Sequence, residues 1–396
     1  MRNRFWAEID LDAAQHNYQF IKKSLSRRTK LCCVVKANAY GHGAPIMAKL
    51  YEELGADWLA VSNIEEAIQL RREGISLPIL ILGYTAPSCA ALLGKHNLSQ
   101  TVYSYDYAEE LNHFAAQESL RLKIHLKLDS GMGRLGFSCR HGKEDSSSLT
   151  QALAACRLPS LFPEGVFTHL AVADEGEGGK IYTQEQLSRF QEAVAYLESE
   201  GISFAMRHCA NSAGILDHPT SHMDMVRAGI ILYGALPSSA LQASADLRPV
   251  MSLHSVVSLV KDLQTGDSVS YGRTFVAPHP MRVATVPVGY ADGYRRENGA
   301  NGACVIIKGK RAPVVGRVCM DQLLVDVTEL PSLKRGDAVT VMGQVDGVSV
   351  TAEELAERNR TIPYELFCNV GERVPRIYRR DGKTVAIRDN LIPNIT

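Results

Sequence analysis

A lysine stands at the end of the first strongly apolar run of the chain. Residues 31–35, LCCVV, predict a buried strand, and Lys36 follows directly, ahead of the segment ANAYGHG. Later apolar runs also end close to polar residues: Arg134, His169, Asn211, Ser212 and Arg227. An amine, an imidazole and two guanidinium groups are side chains that bind small molecules and move protons, provided that the fold brings them together.

The elements that must position these residues alternate between two patterns. Strands are predicted by eight short apolar runs: LCCVVKA, ADWLAVS, PILILG, QTVYSY, LKIHLKLD, GVFTHL, FAMRHCAN and MVRAGIILYG. Between them, segments such as APIMAKLYEELG have apolar residues three and four positions apart, which predicts helices. Eight βα units over roughly 230 residues predict an α/β fold, a (β/α)8 TIM barrel. Because barrel enzymes assemble their sites at the carboxyl ends of the strands, the polar residues should converge on one mouth.

Each of these residues also has a simpler interpretation when it is taken alone. A lysine at a strand end is most often a solvated surface charge, and His169 could be a satisfied, partly buried histidine. A structural or interaction protein would nevertheless have no reason to set a lysine, a histidine and two arginines at strand ends. The coincidence therefore favours an active site.

After about Leu241 the sequence changes character. Short β runs separated by Gly, Asp and Pro predict a β-rich second domain. Within it, only TAEELAERN at 351–359 is predicted to be helical.

Composition narrows the classes of partner. The 396 residues include 43 Lys plus Arg and 43 Asp plus Glu, so the net charge is zero. A chain without net positive charge has no overall attraction for nucleic acid or for an anionic membrane. The nine cysteines form no CxxC pair, which gives no sign of a metal site and favours a reducing, cytoplasmic compartment. No signal peptide or membrane span is predicted.

The stretch DSGMGRLG contains the spacing GxGxxG, at Gly131, Gly133 and Gly136. A dinucleotide-binding fingerprint needs a helix that opens there and an acidic residue about 20 positions further on. The polar segment FSCRHGKEDSSS follows instead. We therefore expect an irregular loop that aims Arg134.

Motifs along the whole chain resemble the alanine racemase family, which depends on pyridoxal phosphate. They are WAEIDL, VVKANAYGHG, HLKLDSGMGRLG, ANSAG, VRAGIILYG, SYGRTF, VGYADGYRR, GRVCMDQLLVDV and IPYELFCNVGERVPR. Any one of them is weak, but the set in this order is specific.

The resemblance implies an architecture. The barrel is expected over residues 11–240, and a mostly β domain over 241–396 takes in the N-terminal strand 1–10. The family also implies a head-to-tail homodimer in which each active site borrows residues from the partner subunit. We expect neither nucleic acid nor a membrane as a binding partner.

The family chemistry assigns roles to individual residues. Lys36 is implied to carry pyridoxal phosphate as a Schiff base and to move the α-proton on the D-face. Tyr271, from the partner subunit, is implied to act on the L-face, with His169 linking it to Arg227. An unperturbed tyrosine titrates near pH 10, so positive charge near Tyr271 is expected to stabilise its phenolate. Arg227 is implied to face the pyridine nitrogen.

The remaining expected contacts also follow from the resemblance. The phosphate is implied to be held by Tyr40, Ser212, Gly229, Ile230 and Tyr364. Arg134, Met320, Tyr271 and Tyr290 are expected around the substrate. Lys127 matches a lysine that is often carbamylated in the family, and as a carbamate it would attract Arg134 instead of repelling it.

The expected reaction is the interconversion of L-alanine and D-alanine, with D-alanine supplied to peptidoglycan. Tyr364 and Met320 should crowd the side-chain pocket and Tyr290 its entrance, which favours alanine and allows some serine turnover. A related decarboxylase of basic amino acids is the nearest alternative, but Tyr271 and Arg227 argue against it. A barrel that carries the cofactor without turnover would lack the second domain.

Overall fold

The computed structural model describes residues 4–392 of the chain, and its first half is a closed parallel barrel. We number its strands barrel strands 1 to 8. They are Lys30–Val34, Trp58–Val61, Ile79–Ile81, Leu98–Val102, Leu122–Asp129, Leu161–Phe167, Met206–His208 and Met225–Ala228. The short strand Phe137–Ser138 pairs with the end of barrel strand 5. All eight strands predicted from the sequence are present.

The barrel closes between its last strands and its first. Barrel strand 8 pairs with barrel strand 1, where Arg227 lies opposite Cys32. Strands 7 and 8 are joined by backbone hydrogen bonds from Asp224 N to Arg207 O, 3.1 Å, and from Arg227 N to Ala210 O, 3.0 Å. A closed sheet has no free edge, so the strand ends form one ring.

Helices surround the barrel. They are Leu11–Ser24, Ala44–Glu53, Ile64–Arg72, Ala90–Lys95, Tyr105–Gln117, Ser146–Cys156, Lys180–Ser199 and Ser212–Asp217. Several begin at side-chain caps, such as Asn63, Ser104 and Asn211, whose oxygens accept backbone N–H groups of the first turn. Across residues 4–392, every helix is too short or too polar to cross a membrane.

Single 3-10 turns connect the other elements. They are Pro87–Cys89, Gly142–Asp145, Gly176–Gly179, Pro219–Ser221, Ile230–Tyr233, Tyr271–Arg273, Tyr290–Asp292 and Arg296–Gly299.

An eleven-stranded sheet forms the second half of the molecule. Its strands are Phe5–Asp10, Met251–Val256, Leu259–Leu263, Met281–Val286, Cys304–Ile307, Lys310–Val315, Leu323–Asp326, Ala338–Val345, Val348–Val350, Arg376–Arg380 and Lys383–Arg388. The N-terminal strand Phe5–Asp10 runs antiparallel to Met251–Val256 and parallel to Arg376–Arg380. A separate hairpin pairs Ser268–Val269 with Phe275–Val276. The predicted fold class, a TIM barrel with a mostly β domain, is confirmed.

The second domain contains one more helix than the sequence predicted. Ala352–Arg358 matches the predicted helix, but Pro363–Cys368 forms another, so the expectation of a single helix was wrong. Six residues make fewer than two turns, too few for a helical period to be recognised. Pro363 occupies the first turn, where its missing N–H costs no hydrogen bond. This helix carries Tyr364 to the mouth of the barrel.

Candidate active site

The strand-end residues that the sequence analysis identified all contribute to one cavity of about 380 Å³. It lies at the carboxyl ends of the barrel strands. Lys36, Arg134, His169, Asn211, Ser212 and Arg227 contribute to its wall, and so do Tyr40, Lys127, Gly229 and Tyr364. Four of these side chains are lysines or arginines. The lining drawn from residues 4–392 contains no aspartate or glutamate.

The backbone after Lys36 turns in the left-handed sense. Ala37, Asn38, Ala39 and Tyr40 have φ angles between 51° and 54°, although none of them is glycine. Each such residue costs about 1 to 2 kcal/mol relative to the right-handed form. Consecutive strained residues persist only where surrounding contacts hold them, and such strain is typical of functional sites.

Side chains of the barrel hold the start of this turn. The carboxylate of Glu66 accepts hydrogen bonds from Ala37 N and from Ser62 N, both at 2.7 Å. Asn38 Oδ1 accepts from Ala44 N at 2.8 Å and so ties the turn to the next helix. These bonds fix the direction in which Lys36 leaves barrel strand 1.

The second domain holds the other end of the turn. Tyr378 donates its hydroxyl to His42 O at 3.0 Å, and Arg376 Nε donates to Gly41 O at 3.1 Å. The approach is close: a Cβ on Gly43 would lie 1.8 Å from Tyr378 Oη. His42 Nδ1 lies 2.9 Å from Tyr40 O, and burial lowers the pKa of His42 to about 4, so its neutral ring donates there. The orientation of Lys36 thus depends on both domains.

The amine of Lys36 is easier to deprotonate than that of a free lysine. Burial lowers the pKa of Lys36, and the nearby charge of Arg134 lowers it further. A larger fraction of the amine is therefore uncharged and nucleophilic at neutral pH.

Arg227 is a buried cation in the wall of the cavity. Its guanidinium donates to the carbonyl oxygens of Thr168, 2.9 Å, and Cys209, 3.1 Å. It also contacts His208 Nδ1 at 2.8 Å and His169 Nδ1 at 3.3 Å. Burial lowers the pKa of Arg227 to about 10, so the group remains charged at neutral pH.

His169 is neutral. Its pKa lies well below the ordinary value because of burial first and the charge of Arg227 second. Arg227 can only donate, so Nδ1 of His169 accepts and its proton resides on Nε2. The positive charge in this part of the site is therefore on Arg227, behind His169, and not on His169 itself. Gln186 fixes this segment by accepting from Ala171 N at 2.8 Å and donating to His169 O at 3.2 Å.

The loop that carries Arg134 is folded around a carboxylate. Asp129 accepts from Gly131 N at 3.0 Å and from Gly133 N at 3.1 Å, and it also pairs with Arg140. Gly131 and Gly133 have φ angles of 142° and 76°, which favour glycine. No helix starts between residues 130 and 136, so the GxGxxG spacing forms an irregular loop and not a dinucleotide site.

Lys127 is buried in barrel strand 5. Its Nζ lies 4.4 Å from the centroid of the Phe167 ring. Burial lowers the pKa of Lys127 well below the ordinary lysine value, and the charges of Arg227 and Arg134 lower it further. The amine of Lys127 therefore loses its proton far more readily than that of a free lysine.

Hydroxyl groups gather at the other end of the cavity. Ser212 Oγ accepts from Gly229 N at 2.9 Å, and a Cβ on Gly229 would lie 2.8 Å from Tyr40 Oη. Burial raises the pKa of Tyr40 and of Tyr364, so both hydroxyls keep their protons and can donate. Ile230 begins the 3-10 turn Ile230–Tyr233 beside them. This region offers neutral donors and requires glycine at position 229, which fits a small oxyanion such as phosphate.

Four predicted site residues are absent from the lining of this cavity: Ile230, which is buried next to Gly229, and three residues of the second domain. Tyr271, Tyr290 and Met320 belong to the second domain and are 64%, 40% and 53% exposed. Tyr290 and Met320 are neighbours, because Tyr290 N donates to Cys319 O and Ala291 N donates to Met320 O, both at 3.1 Å. A single chain therefore does not bring these three residues to its own barrel mouth.

Sequence reasoning missed several residues around the site. Glu66 and Gln186 act from helices behind the strand ends, while His125 and His208 point into the barrel interior. The two histidines do carry a signal: His125 stands between the buried apolar residues Ile124 and Leu126, and His208 ends its barrel strand next to buried Cys209. A polar residue at such a position requires a partner inside the barrel.

Barrel, cavity and second domain together define an enzyme that acts on a small molecule at the carboxyl ends of TIM-barrel strands. The family models for the N-terminal and C-terminal domains of alanine racemase match residues 9–237 and 250–378. The chain belongs to the alanine racemase family, as its motifs predicted.

Individual relatives agree with this assignment over nearly the full length. Alanine racemase of Clostridium tetani is 44% identical over 385 residues, which cover 97% of each chain. Alanine racemase 1 of Clostridium acetobutylicum is 43% identical with the same coverage. The structure of alanine racemase from Clostridium difficile 630 superposes with a TM-score of 0.92 at 39% identity, over 99% of this chain and 100% of that one. The Bacillus anthracis enzyme with bound L-Ala-P gives 0.91 at 36% identity, over 99% of both chains.

The contact between Gly43 and Tyr378 predicts a large loss of stability in Gly43→Ala. Because the new Cβ meets the Tyr378 hydroxyl at 1.8 Å, the substitution should lower the free energy of unfolding by about 3 kcal/mol. Gly55→Ala is the matched control: Gly55 also has positive φ, 83°, but no neighbour lies within 4 Å, so the cost should be about 1 kcal/mol. Urea denaturation measures both, and equal losses would show that Tyr378 does not clamp the turn.

Proposed function

We propose that this protein interconverts L-alanine and D-alanine, using pyridoxal phosphate held at Lys36. The main support for the proposal is the positive charge of the cavity, in a chain that belongs to the alanine racemase family. Lys36, Lys127, Arg134 and Arg227 line this cavity, and the described lining has no carboxylate. Such a cavity attracts anions, and the cofactor phosphate and the substrate carboxylate are both anions.

The residues present fit the cofactor at both of its ends. The hydroxyls of Tyr40, Ser212 and Tyr364, with the backbone N–H groups at Ser212, Gly229 and Ile230, would hold the phosphate. Lys36, with its lowered pKa, would hold the aldehyde carbon covalently. Arg227 would be set against the pyridine nitrogen. When bound, pyridoxal phosphate supplies the electron-withdrawing ring that makes the α-proton of an amino acid removable.

Racemisation needs a proton acceptor on each face of the substrate α-carbon, because the proton leaves one face and returns to the other. Lys36 Nζ would serve the D-face. Tyr271 of the partner subunit would serve the L-face. The 64% exposure of Tyr271, and its position outside the cavity of its own chain, agree with a role in a second copy.

Neutral His169 has a defined part in this arrangement. With Nδ1 facing Arg227, its Nε2–H is free to donate to the oxygen of Tyr271. Arg227 polarises the ring from behind. His169 would thereby stabilise the phenolate without itself holding an extra proton.

Arg134 and Met320 of the partner subunit would bind the carboxylate end of the substrate. A guanidinium matches a planar carboxylate with two parallel hydrogen bonds. Tyr364, together with Met320 and Tyr290 of the partner subunit, would leave little room for a side chain larger than a methyl group. Serine, which adds one hydroxyl, would be a slow second substrate.

A head-to-tail homodimer follows from the same assignment. The exposed surface of the second domain carries Tyr271, Tyr290 and Met320, which have no role at the cavity of their own chain. In a dimer that places this surface over the partner's barrel mouth, the site is complete.

We also propose a cytoplasmic location and a supply of D-alanine for peptidoglycan. All nine cysteines are free thiols in the described residues, which agrees with a reducing compartment. The peptidoglycan role is the one that the family implies.

The role of Tyr271 predicts the behaviour of Tyr271→Phe. Proton removal from L-alanine should fall by about 10³-fold while the cofactor stays bound, because only the acid–base group is lost. Deuterium uptake by L-alanine in deuterium oxide measures that step. Tyr84→Phe is the control, since Tyr84 is similarly exposed, 61%, and lies outside the cavity lining. Wild-type exchange in Tyr271→Phe would contradict the role.

Mixed dimers test whether the site is shared. Lys36→Ala and Tyr271→Phe should each be inactive, and their co-expression should restore about a quarter of wild-type activity. Half of the randomly paired dimers are hybrids, and each hybrid has one of its two sites intact. No recovery in verified hybrids would show that Tyr271 serves its own chain.

We further propose that Lys127 is carbamylated. Because its pKa is lowered, the uncharged form of its amine is accessible and can attack carbon dioxide, forming the new N–C bond and releasing one proton. The resulting anion would lie near Arg134 and Arg227. An anion at this position would turn repulsion of Arg134 into attraction.

The carbamate predicts a protein-bound ¹³C signal after incubation with labelled bicarbonate. That NMR signal should disappear in Lys127→Arg. It should persist in Lys123→Arg, because Lys123 precedes it on the same strand with a side chain 43% exposed. A signal that survives in Lys127→Arg, or none in the wild type, would mean that Lys127 is unmodified.

A further inference from the structure

A line of hydrogen-bonded side chains runs from Arg227 into the barrel interior, away from the cavity. Arg227 Nη1 lies 2.8 Å from His208 Nδ1, and His208 Nε2 lies 2.8 Å from His125 Nδ1. Beyond them, His125 Nε2 lies 3.5 Å from Glu164 Oε2, which also accepts from Ser99 Oγ at 2.6 Å. We call Arg227, His208, His125 and Glu164 the histidine relay.

The charged group at one end determines the proton positions along the relay. A guanidinium only donates, so His208 Nδ1 must accept and the proton of its neutral ring lies on Nε2. That proton points at His125 Nδ1, which must also accept. The proton of His125 therefore lies on Nε2 and faces Glu164. At 3.5 Å this last contact is at the limit of a hydrogen bond, so attraction between the N–H dipole and the carboxylate dominates it.

Both rings are neutral and tightly packed. Burial lowers the pKa of His208 well below its ordinary value and also lowers the pKa of His125. His208 stacks on Phe167 with centroids 4.8 Å apart, and His125 meets Trp58 edge-on at 5.3 Å. A Cβ at Gly165 would lie 2.7 Å from His125, so this glycine keeps space for the ring.

The two ends of the relay carry opposite charges. Within residues 4–392, the hydrogen bonds of Arg227 go to two carbonyls and two imidazoles and none to a carboxylate. Burial raises the pKa of Glu164, but the nearby His125 ring and the hydrogen bond from Ser99 outweigh that effect and lower it overall, so Glu164 is ionised. Each imidazole turns its bare nitrogen toward the cation and its N–H toward the anion. All dipoles along the relay are thus aligned.

We propose that Glu164 is a remote positioning residue of the active site, which orients and electrostatically stabilises Arg227 through His125 and His208. The inference rests on the proposed function in one respect, that Arg227 serves the bound cofactor. Glu164 acts on the reaction only through the orientation of the guanidinium.

The first test reads proton positions directly, independent of activity. ¹⁵N-histidine NMR of the pyridoxal phosphate-loaded enzyme, with peaks assigned by His125→Gln and His208→Gln, should show both rings protonated on Nε2. In Glu164→Gln the His125 resonances should shift, and in a sample that also carries ¹⁵N-arginine the Arg227 guanidinium signal should broaden. Protonation of His208 on Nδ1 would overturn the proposal.

The second test separates charge from packing. Glu164→Gln should lower kcat about tenfold with the KM for alanine within about twofold, and Glu164→Asp, which keeps the charge, should recover most of the loss. Asp57→Asn is the matched control: it also replaces an acid, one that accepts from Lys22 Nζ and Leu31 N at 2.8 Å, and it should leave kcat unchanged. Wild-type kcat in Glu164→Gln, or equal losses in Glu164→Gln and Glu164→Asp, would overturn the proposal.

Failure of the proposed function has a different signature. A folded wild-type protein that takes up pyridoxal phosphate but does not racemise alanine would contradict the proposed function. The ¹⁵N spectra would still show whether the proton positions of the histidine relay are as proposed.

Discussion

The concentration of positive charge in one cavity is the constraint on which the rest of the structure depends. Lys36, Lys127, Arg134 and Arg227 share a lining that, in the described residues, has no carboxylate. Like charges in a partly dry site repel strongly, and the protein reduces that repulsion by lowering the pKa of both lysines. The remaining charge is suited to anions that bind from outside. Phosphate, substrate carboxylate and a carbamate would each neutralise part of it.

Holding these groups in place requires strain and contacts between the domains. Lys36 points into the cavity only because four residues after it adopt left-handed angles, and Arg376 and Tyr378 of the second domain bind the carbonyls that end this turn. The same domain supplies Tyr364 from a helix of six residues. Without the second domain, the barrel would therefore not hold Lys36 in its orientation, and it would lose one of the hydroxyl groups proposed to bind the phosphate.

Much of the fold could be predicted from the sequence, because the barrel strands are continuous apolar runs and their polar ends are easy to recognise. The left-handed turn could not be predicted, since Ala-Asn-Ala favours the right-handed form and only tertiary contacts reverse it. The neutral state of His169 also depends on burial and on Arg227, which no spacing reveals. Glu164 and His125 lie on neighbouring strands yet 39 positions apart in sequence, so their contact with each other became visible only in the folded barrel. Tyr271 was assigned through the resemblance alone.

The covalent attachment of pyridoxal phosphate to Lys36 is the central claim, and peptide mapping tests it most directly. The purified protein, loaded with pyridoxal phosphate, should absorb visible light, lose that band on borohydride reduction and retain the cofactor as a stable adduct. Proteolysis and mass spectrometry should locate the adduct on the peptide that contains Lys36, with none on Lys127, the other lysine of the cavity. A protein that stays colourless after incubation, or an adduct that maps elsewhere, would contradict the account of the site and the mechanism built on it.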